Sequence, residues 1–368
     1  MPDSRPPFRA DHVGSFLRSP AWKEARANHD KGEIDDAALA AVEDREIERV
    51  IAKQAEVGLK LATDGDFRRT TWHNDFFAGL AGCESSVAER GVPFAGKEST
   101  RRSFKIVSKV SFGNHPALAH FKFLAAHTKA MPKITIPAPG VAHFRRGASL
   151  YEGVYSDAES FFADFGTAYA EAVKAFYAAG CRYLQLDDTA WAHLGSERMR
   201  TMVRERGEDP DDLADLYART IETALKAKPA DMAITTHLCH GNFQSSWSSE
   251  GDYEKIAEIL LARLDYDGYF LEYDTERAGG FEPLRFLPKG KKRVVLGIIT
   301  SKSGELESKD TVKRRIEEAS KYVDPDQCCL SPQCGFASTE EGNLLSEDQQ
   351  WAKLRHVVEI ATEVWGEA

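Results

Sequence analysis

No stretch of this 368-residue chain stays apolar for the ~18 residues that a membrane-spanning helix needs. The opening residues, MPDSRPPFRADHV, are polar and charged and lack the apolar core of a secretory signal. A basic excess is missing too: 48 Lys and Arg stand against 58 Asp and Glu, a net charge of -10 spread along the chain. Phosphate backbones are held by basic patches, so nucleic acid is not an expected partner. Cysteine is scarce; the six, Cys83, Cys181, Cys239, Cys328, Cys329 and Cys334, are too few for a disulfide framework. There is no low-complexity tract and no repeat of solenoid period. These absences leave the expectation of a cytoplasmic globular protein, one domain over residues 1–368, that works on small molecules. An oligomer is compatible with this composition.

What the chain does contain is an alternation of short apolar runs and longer helical patterns. Expected strands are His12–Ser15, Leu61–Asp64, Lys133–Pro137, Arg182–Asp187, Met232–His237, Gly268–Glu272, Arg293–Ile298 and Cys328–Ser331. Most are apolar nearly throughout, as strands buried on both faces must be. Helical spacing of apolar residues marks Ala37–Val57, Phe161–Ala179, Asp211–Lys228, Tyr253–Leu264, Lys309–Tyr322 and Glu347–Trp365. Strands mostly followed by helices predict an α/β fold, a (β/α)8 TIM barrel. A doubly wound open sheet is the competitor, weakened because no GxGxxG follows an early strand. Residues 82–131 do not fit the alternation. Within them SFKIVSKVSF alternates like a strand, so an inserted β-hairpin is expected there.

The unusual polar residues fall at or just beyond the C-terminal ends of the expected strands: Ser15, Asp66, Asp187, His237, Glu272 and Cys334. In a barrel those ends meet on one face, where active sites are built. His237 and Cys239, in THLCHGNF, are two residues apart and so point the same way along an extended chain. Zinc accepts imidazole, thiolate and carboxylate together, so His237, Cys239, Glu272 and Cys334 make a candidate metal set supplied strand by strand. Singly, each has an ordinary explanation. Glu272 alone suits an ion pair, Asp66 a turn after Gly65, Asp187 a helix cap and Cys334 packing. Cys83, Cys181, Cys328 and Cys329 are expected to pack as small hydrophobes. His240 faces away from its neighbour Cys239 and is not taken as a ligand.

THLCHGNF, FLEYDTERAGGFE and LSPQCGFAS resemble the three zinc-binding segments of the cobalamin-independent methionine synthase family. HVGSFLR, TDGDFRR and YLQLDD resemble that family in the same order, so the likeness runs from about His12 to the C-terminus. It covers the catalytic barrel and is closest to short, single-barrel members. The resemblance implies a zinc-dependent methyltransferase in which zinc binds the homocysteine sulfur, and methionine is made with a methyl group from a methylated folate. It implies zinc ligation by His237, Cys239, Glu272 and Cys334. It also implies that Ser15, Asp66 and Asp187 hold the amino-acid end of the substrate, which makes Asp66 and Asp187 the candidate catalytic carboxylates.

Three departures bear on the methyl donor. LGIITSKSGELE has Thr300, Ser301 and Lys302 where the family carries a proton-donating histidine. PAPGVAHFRRG lacks the tryptophan that the family places near the pterin, and position 66 is Asp in place of Glu. A methylated corrinoid carrier or an epoxide therefore stands beside methylfolate as the donor, and another thiol beside homocysteine as the acceptor. A zinc hydrolase and a barrel with a purely structural zinc are the readings from other classes. Trp72, His73, Arg68, Arg69, Trp191 and His193 lie after the second and fourth expected strands and are candidates to meet the donor.

Overall fold

Apolar runs such as GYFLE and RVVLGII have few polar atoms to leave in water, and in the computed structural model every residue of both is buried, as is every residue of the more polar YLQLDD. The structure describes residues 5–89, 91, 93, 94, 97, 98, 101–247 and 251–368. Its strands are β1 (Leu61–Ala62), β2 (Ala81–Val87), β3 (Pro93–Phe94), β4 (Lys97–Glu98), β5 (Arg102–Ser111), β6 (Met131–Pro137), β7 (Tyr183–Asp188), β8 (Ala233–Leu238), β9 (Gly268–Glu272), β10 (Arg293–Ile299) and β11 (Cys328–Pro332). Seven of them form one sheet in the order β1-β6-β7-β8-β9-β10-β11, each pair parallel. Helices connect them, among them Ala158–Ala178 and Pro210–Leu225, which pack on each other. The fold is the expected (β/α)8 type.

The first expected strand, His12–Ser15, does not form a ladder. Residues 8–16 instead run between β11 and β1 with a single parallel bridge, Ala10 to Leu330. The Asp11 amide donates to the Leu330 carbonyl at 3.0 Å, and the Leu330 amide to the Arg9 carbonyl at 2.8 Å. On the other side the Thr63 hydroxyl donates to the Gly14 carbonyl at 2.6 Å, and the Phe16 amide to the Gly65 carbonyl at 3.1 Å. Gly14 explains the interruption. Its φ of +143° takes the chain out of the strand conformation, and a Cβ there would meet Thr135 at 2.9 Å.

Side chains complete what the backbone does not. Lys133 on β6 donates to Asp11 Oδ1 at 2.9 Å and to the His12 carbonyl at 2.6 Å, and Tyr183 on β7 donates to Asp11 Oδ2 at 2.8 Å. Val13 packs with Phe270, Val295 and Cys329 in a small buried cluster of its own.

The expected insertion is present but shorter than 82–131. β2 and β5 pair antiparallel over 81–111, and β3 pairs with β4. Residues 117–127 form a helix that leads into β6. The hairpin is fixed by the amide of Val110, which donates to the Tyr155 hydroxyl at 2.7 Å. No helix among the described residues is long and apolar enough to cross a membrane.

Candidate metal centre

His237 is the fifth residue of β8, and the chain leaves the strand one residue later. The Cys239 amide then donates to the Asp188 carbonyl at the end of β7 at 2.9 Å, which keeps Cys239 beside the sheet. Glu272 is the last residue of β9, with no solvent exposure. Its amide donates to the Tyr253 hydroxyl at 3.0 Å, and that hydroxyl donates to its carbonyl at 3.2 Å. Cys334 follows β11, and its neighbour Gln333 accepts from the amide and hydroxyl of Ser301 at 2.7 and 2.8 Å. One atom from each of His237, Cys239, Glu272 and Cys334 lies within 4.8 Å of the others.

The donor set fits a tetrahedral metal. The two sulfurs are 3.5 Å apart. Two thiolates held at ~2.3 Å from one zinc ion at a tetrahedral angle would be roughly 3.8 Å apart. Both ring nitrogens of His237 and Oε2 of Glu272 are buried without a hydrogen-bond partner among the described residues. Buried polar atoms are rarely left so, and a cation at their centre would satisfy one ring nitrogen of His237 together with the Glu272 oxygen.

Burial raises the Glu272 carboxyl to about 7, against the opposing charge of Lys302. The Cys334 and Cys239 thiols share a proton through their contact, which pushes Cys334 well below and Cys239 well above the usual thiol range. Burial alone would lower His237. Contact with the Cys334 sulfur and its charge, together with the charges of Asp187 and Glu272, outweigh this and leave the imidazole above its ordinary value.

Asp187 lies next to this group, on the same β7 register as His237 on β8. Burial raises its carboxyl to about 6, opposed by His237 and by the Gln185 amide that donates to it at 2.7 Å. The helix-capping role falls to Asp188, whose Oδ1 accepts from the amides of Ala190 and Trp191 at 2.7 and 3.3 Å. Asp187 therefore keeps an oxygen toward the cavity. Asp66 also lines the cavity, in a left-handed turn at φ +64°, and is ion-paired with Arg69. Ser15 Oγ accepts from the Ala337 amide at 3.2 Å, on the loop that carries Cys334. Ser15, Asp66, Asp187, His237, Cys239 and Cys334 border one cavity of about 420 Å³, and Glu272 lies behind its wall.

A family model described as "Cobalamin-independent synthase, Catalytic domain" matches residues 8–363. The chain belongs to that family. It is a methyltransferase of the methionine synthase type. It is 51% identical to the uncharacterised protein YxjH and 50% identical to YxjG, both of Bacillus subtilis, over 98% of its length and 95–96% of theirs. It is 24% identical to a 5-methyltetrahydropteroyltriglutamate–homocysteine methyltransferase of Listeria welshimeri, matching 98% of this chain but 44% of that longer one. Among solved structures it superposes, with a TM-score of 0.79 and 42% identity over 99% of both chains, on a Listeria monocytogenes protein provisionally assigned as a vitamin-B12-independent methionine synthase. A B12-independent methionine synthase from Shewanella sp. W3-18-1, in complex with selenomethionine, shares the fold at TM-score 0.71 and 19% identity over 97% of both chains.

In this family member the donor-side candidates separate. Trp72, His73 and His193 line the cavity. Arg68 does not; it pairs with Asp44 and Glu43 and stacks on Phe123. Arg69 is engaged with Asp66 and Thr135, and Trp191 is fully buried outside the cavity wall. His240 packs against the Tyr253 ring at 5.4 Å and contributes no atom to the four-ligand group. Sequence reasoning missed Gln333, whose amide reaches Glu272 Oε1 at 3.4 Å, and Tyr253, which fixes the Glu272 backbone. It also missed Arg145 and Arg146, although FRRG was in view. Lys302, named only as a departure from the family pattern, lies 3.9 Å from Asp274 with its ammonium buried.

Proposed function

We propose that the chain is a zinc-dependent methyltransferase that activates homocysteine as a thiolate and alkylates it to methionine, acting as a single catalytic barrel. The observation that carries this is the four-donor group of His237, Cys239, Glu272 and Cys334 within 4.8 Å, with Asp187 beside it. A zinc ion held there would supply one thing: a thiol of pKa ~8.5 in water would bind to it deprotonated. The protein's own residues do the rest. Asp187 accepts the substrate ammonium. Ser15 sits at the carboxylate end, and Asp66, with Arg69 as its partner, shapes the wall between them. In the transfer, a carbon–sulfur bond forms as the bond from the alkyl carbon to the donor breaks. The pair of electrons in the broken bond leaves with the donor. Two cysteines in the set favour thiol transfer over hydrolysis, since thiolates make zinc a weaker Lewis acid. Methylfolate, a methylated corrinoid carrier and an epoxide are the donors in contention. Six cysteines without a disulfide fit a reducing compartment such as the cytoplasm.

Metal analysis and cobalt substitution test this. Cys239→Ser and Cys334→Ser should each lose the metal, while Cys328→Ser, whose sulfur lies by the Asp324 carbonyl, should keep it. Homocysteine should shift the spectrum of the cobalt-substituted protein. A spectrum indifferent to every thiol, or zinc retained in both of the first two variants, would defeat the proposal. Turnover with methylfolate against methylcobalamin then identifies the donor.

A further inference from the structure

The donor set of the metal centre carries more negative charge than one zinc ion balances. Two thiolates and a carboxylate exceed the charge of a divalent cation by one, and a substrate thiolate added to them doubles that excess. In a buried site the excess is costly, because little water is there to screen it. A cation close by would offset it, and the fold supplies one.

Lys302 follows β10, the strand between β9, which ends in Glu272, and β11, which leads to Cys334. Its loop is pinned on both flanks. Ser301 donates to Gln333 Oε1, and its carbonyl accepts from Asn343 Nδ2 at 2.7 Å. The Lys302 amide donates to Thr300 Oγ1 at 3.2 Å, and that hydroxyl donates to Asp274 Oδ2 at 3.2 Å. The Lys302 side chain is 12% exposed, and its Nζ is buried without a hydrogen-bond partner among the described residues. An ammonium has three N–H groups and ordinarily spends them on water or on acceptors. Asp274 Oδ2, at 3.9 Å, forms an ion pair with it beyond hydrogen-bond reach. Glu307, on the same loop, is engaged by Lys353 at 3.1 Å. The charge of Lys302 acts on three of the four metal donors: Glu272, Cys239 and Cys334. At Glu272 it outweighs the charge of Asp274.

We propose that Lys302 is the counter-charge of the metal centre: its ammonium offsets the excess negative charge of the donor set and so favours binding of the substrate sulfur as a thiolate. This rests on the thiol-activating reading of that centre. Lys302, like Glu272, is not among the residues that border the cavity. It is therefore a positioning residue, acting on the bound sulfur through the charge of the centre and not by touching it.

Titration of the cobalt-substituted full chain with homocysteine at a series of pH values tests this. Binding as a thiolate releases the thiol proton to solvent, so the spectral shift has a pH midpoint. Lys302→Met keeps a stem of similar length, removes the charge and leaves all four ligands, so its metal content should match the parent's. Its affinity for homocysteine at neutral pH should fall roughly tenfold, and its midpoint should rise by about one pH unit, the same free energy. Lys302→Arg, which keeps the charge, should stay near the parent. A lysine that merely props the loop would change stability without moving the midpoint. Should Lys302→Met fail to fold, Asp274→Asn tests the same balance with the opposite sign, a lower midpoint. An unmoved midpoint in either folded variant, or metal lost from folded Lys302→Met, overturns the inference and leaves the thiol reading standing. A parent spectrum blind to homocysteine removes both.

Discussion

At the scale of single residues, the neighbouring carboxylates Asp187 and Asp188 have different tasks. Asp188 is spent on two backbone amides, and Asp187 is left facing the cavity with its carboxyl raised to about 6 by burial. If Asp187 holds the substrate ammonium, binding needs its charged form. Methionine has the same amino-acid end without a titrating thiol. Its affinity should therefore rise as pH increases through about 6 and fall off below, where Asp187 is protonated. Asp187→Asn should flatten that profile and weaken binding roughly tenfold, as loss of a charge-assisted hydrogen bond does. Binding titrations between pH 5 and 8 decide it, and an unchanged inflection in the variant would remove Asp187 from the role. The sequence places His237, Cys239, Glu272 and Cys334 in plain sight because each closes or follows an apolar run. It does not reveal which member of the Asp-Asp pair caps the helix, because that depends on the turn after β7. Nor does it separate Arg68 from Arg69, adjacent residues whose side chains diverge to opposite sides of the chain.

At the scale of elements, the loop after β11 is built on a close approach. A Cβ on Gly335 would fall within contact of Ser15 Oγ and lie 3.3 Å from the Ser15 amide. Gly335→Ala should push Ser15 and the Cys334 loop apart, at a cost of about 1–3 kcal/mol in stability. Zinc affinity should fall with it. Chemical denaturation and metal analysis on the same preparation check both effects. Strands and helices with a strong pattern were legible, and β9 and the Glu347–Trp365 helix match their expected bounds. Several elements were not, among them the helices Pro20–Asp30 and Glu197–Glu205, and three cases have a clear physical reason. The first strand fails because Gly14 turns the backbone away from the ladder. The helix Ala117–His127 escaped notice because ALAHFKFLAAH carries almost no polar face to set a helical period. Tyr253–Leu264 was expected to be one helix, yet its regular part is a π-helical turn over Glu258–Arg263. That wider winding shifts the side chains from the 3.6-residue spacing the pattern assumed.

At the scale of the whole molecule, the barrel is closed by chemistry unlike that of its staves. Asp11 and Lys133 have no solvent exposure, and Tyr183 joins them from β7. Asp11→Asn leaves the Lys133 ammonium buried without its counter-charge and should cost about 3–5 kcal/mol, read as a lower urea midpoint. A variant as stable as the parent would show that the network does not hold the ring shut. Such a network is hard to foresee from sequence, since Asp11 and Lys133 are far apart and each alone looks like an ordinary surface charge. The joint between residues 8–16 and β11 has the Ala10–Leu330 bridge and, further along, the Phe336 amide donating to the Ser15 carbonyl at 3.0 Å. Ser15 is one lip of that joint and Cys334 the other. If the proposed function holds, a substrate gripped at its amino-acid end beside one lip and at its sulfur beside the other would be a latch as well as a guest, and letting the product go and letting the ring breathe would become a single event.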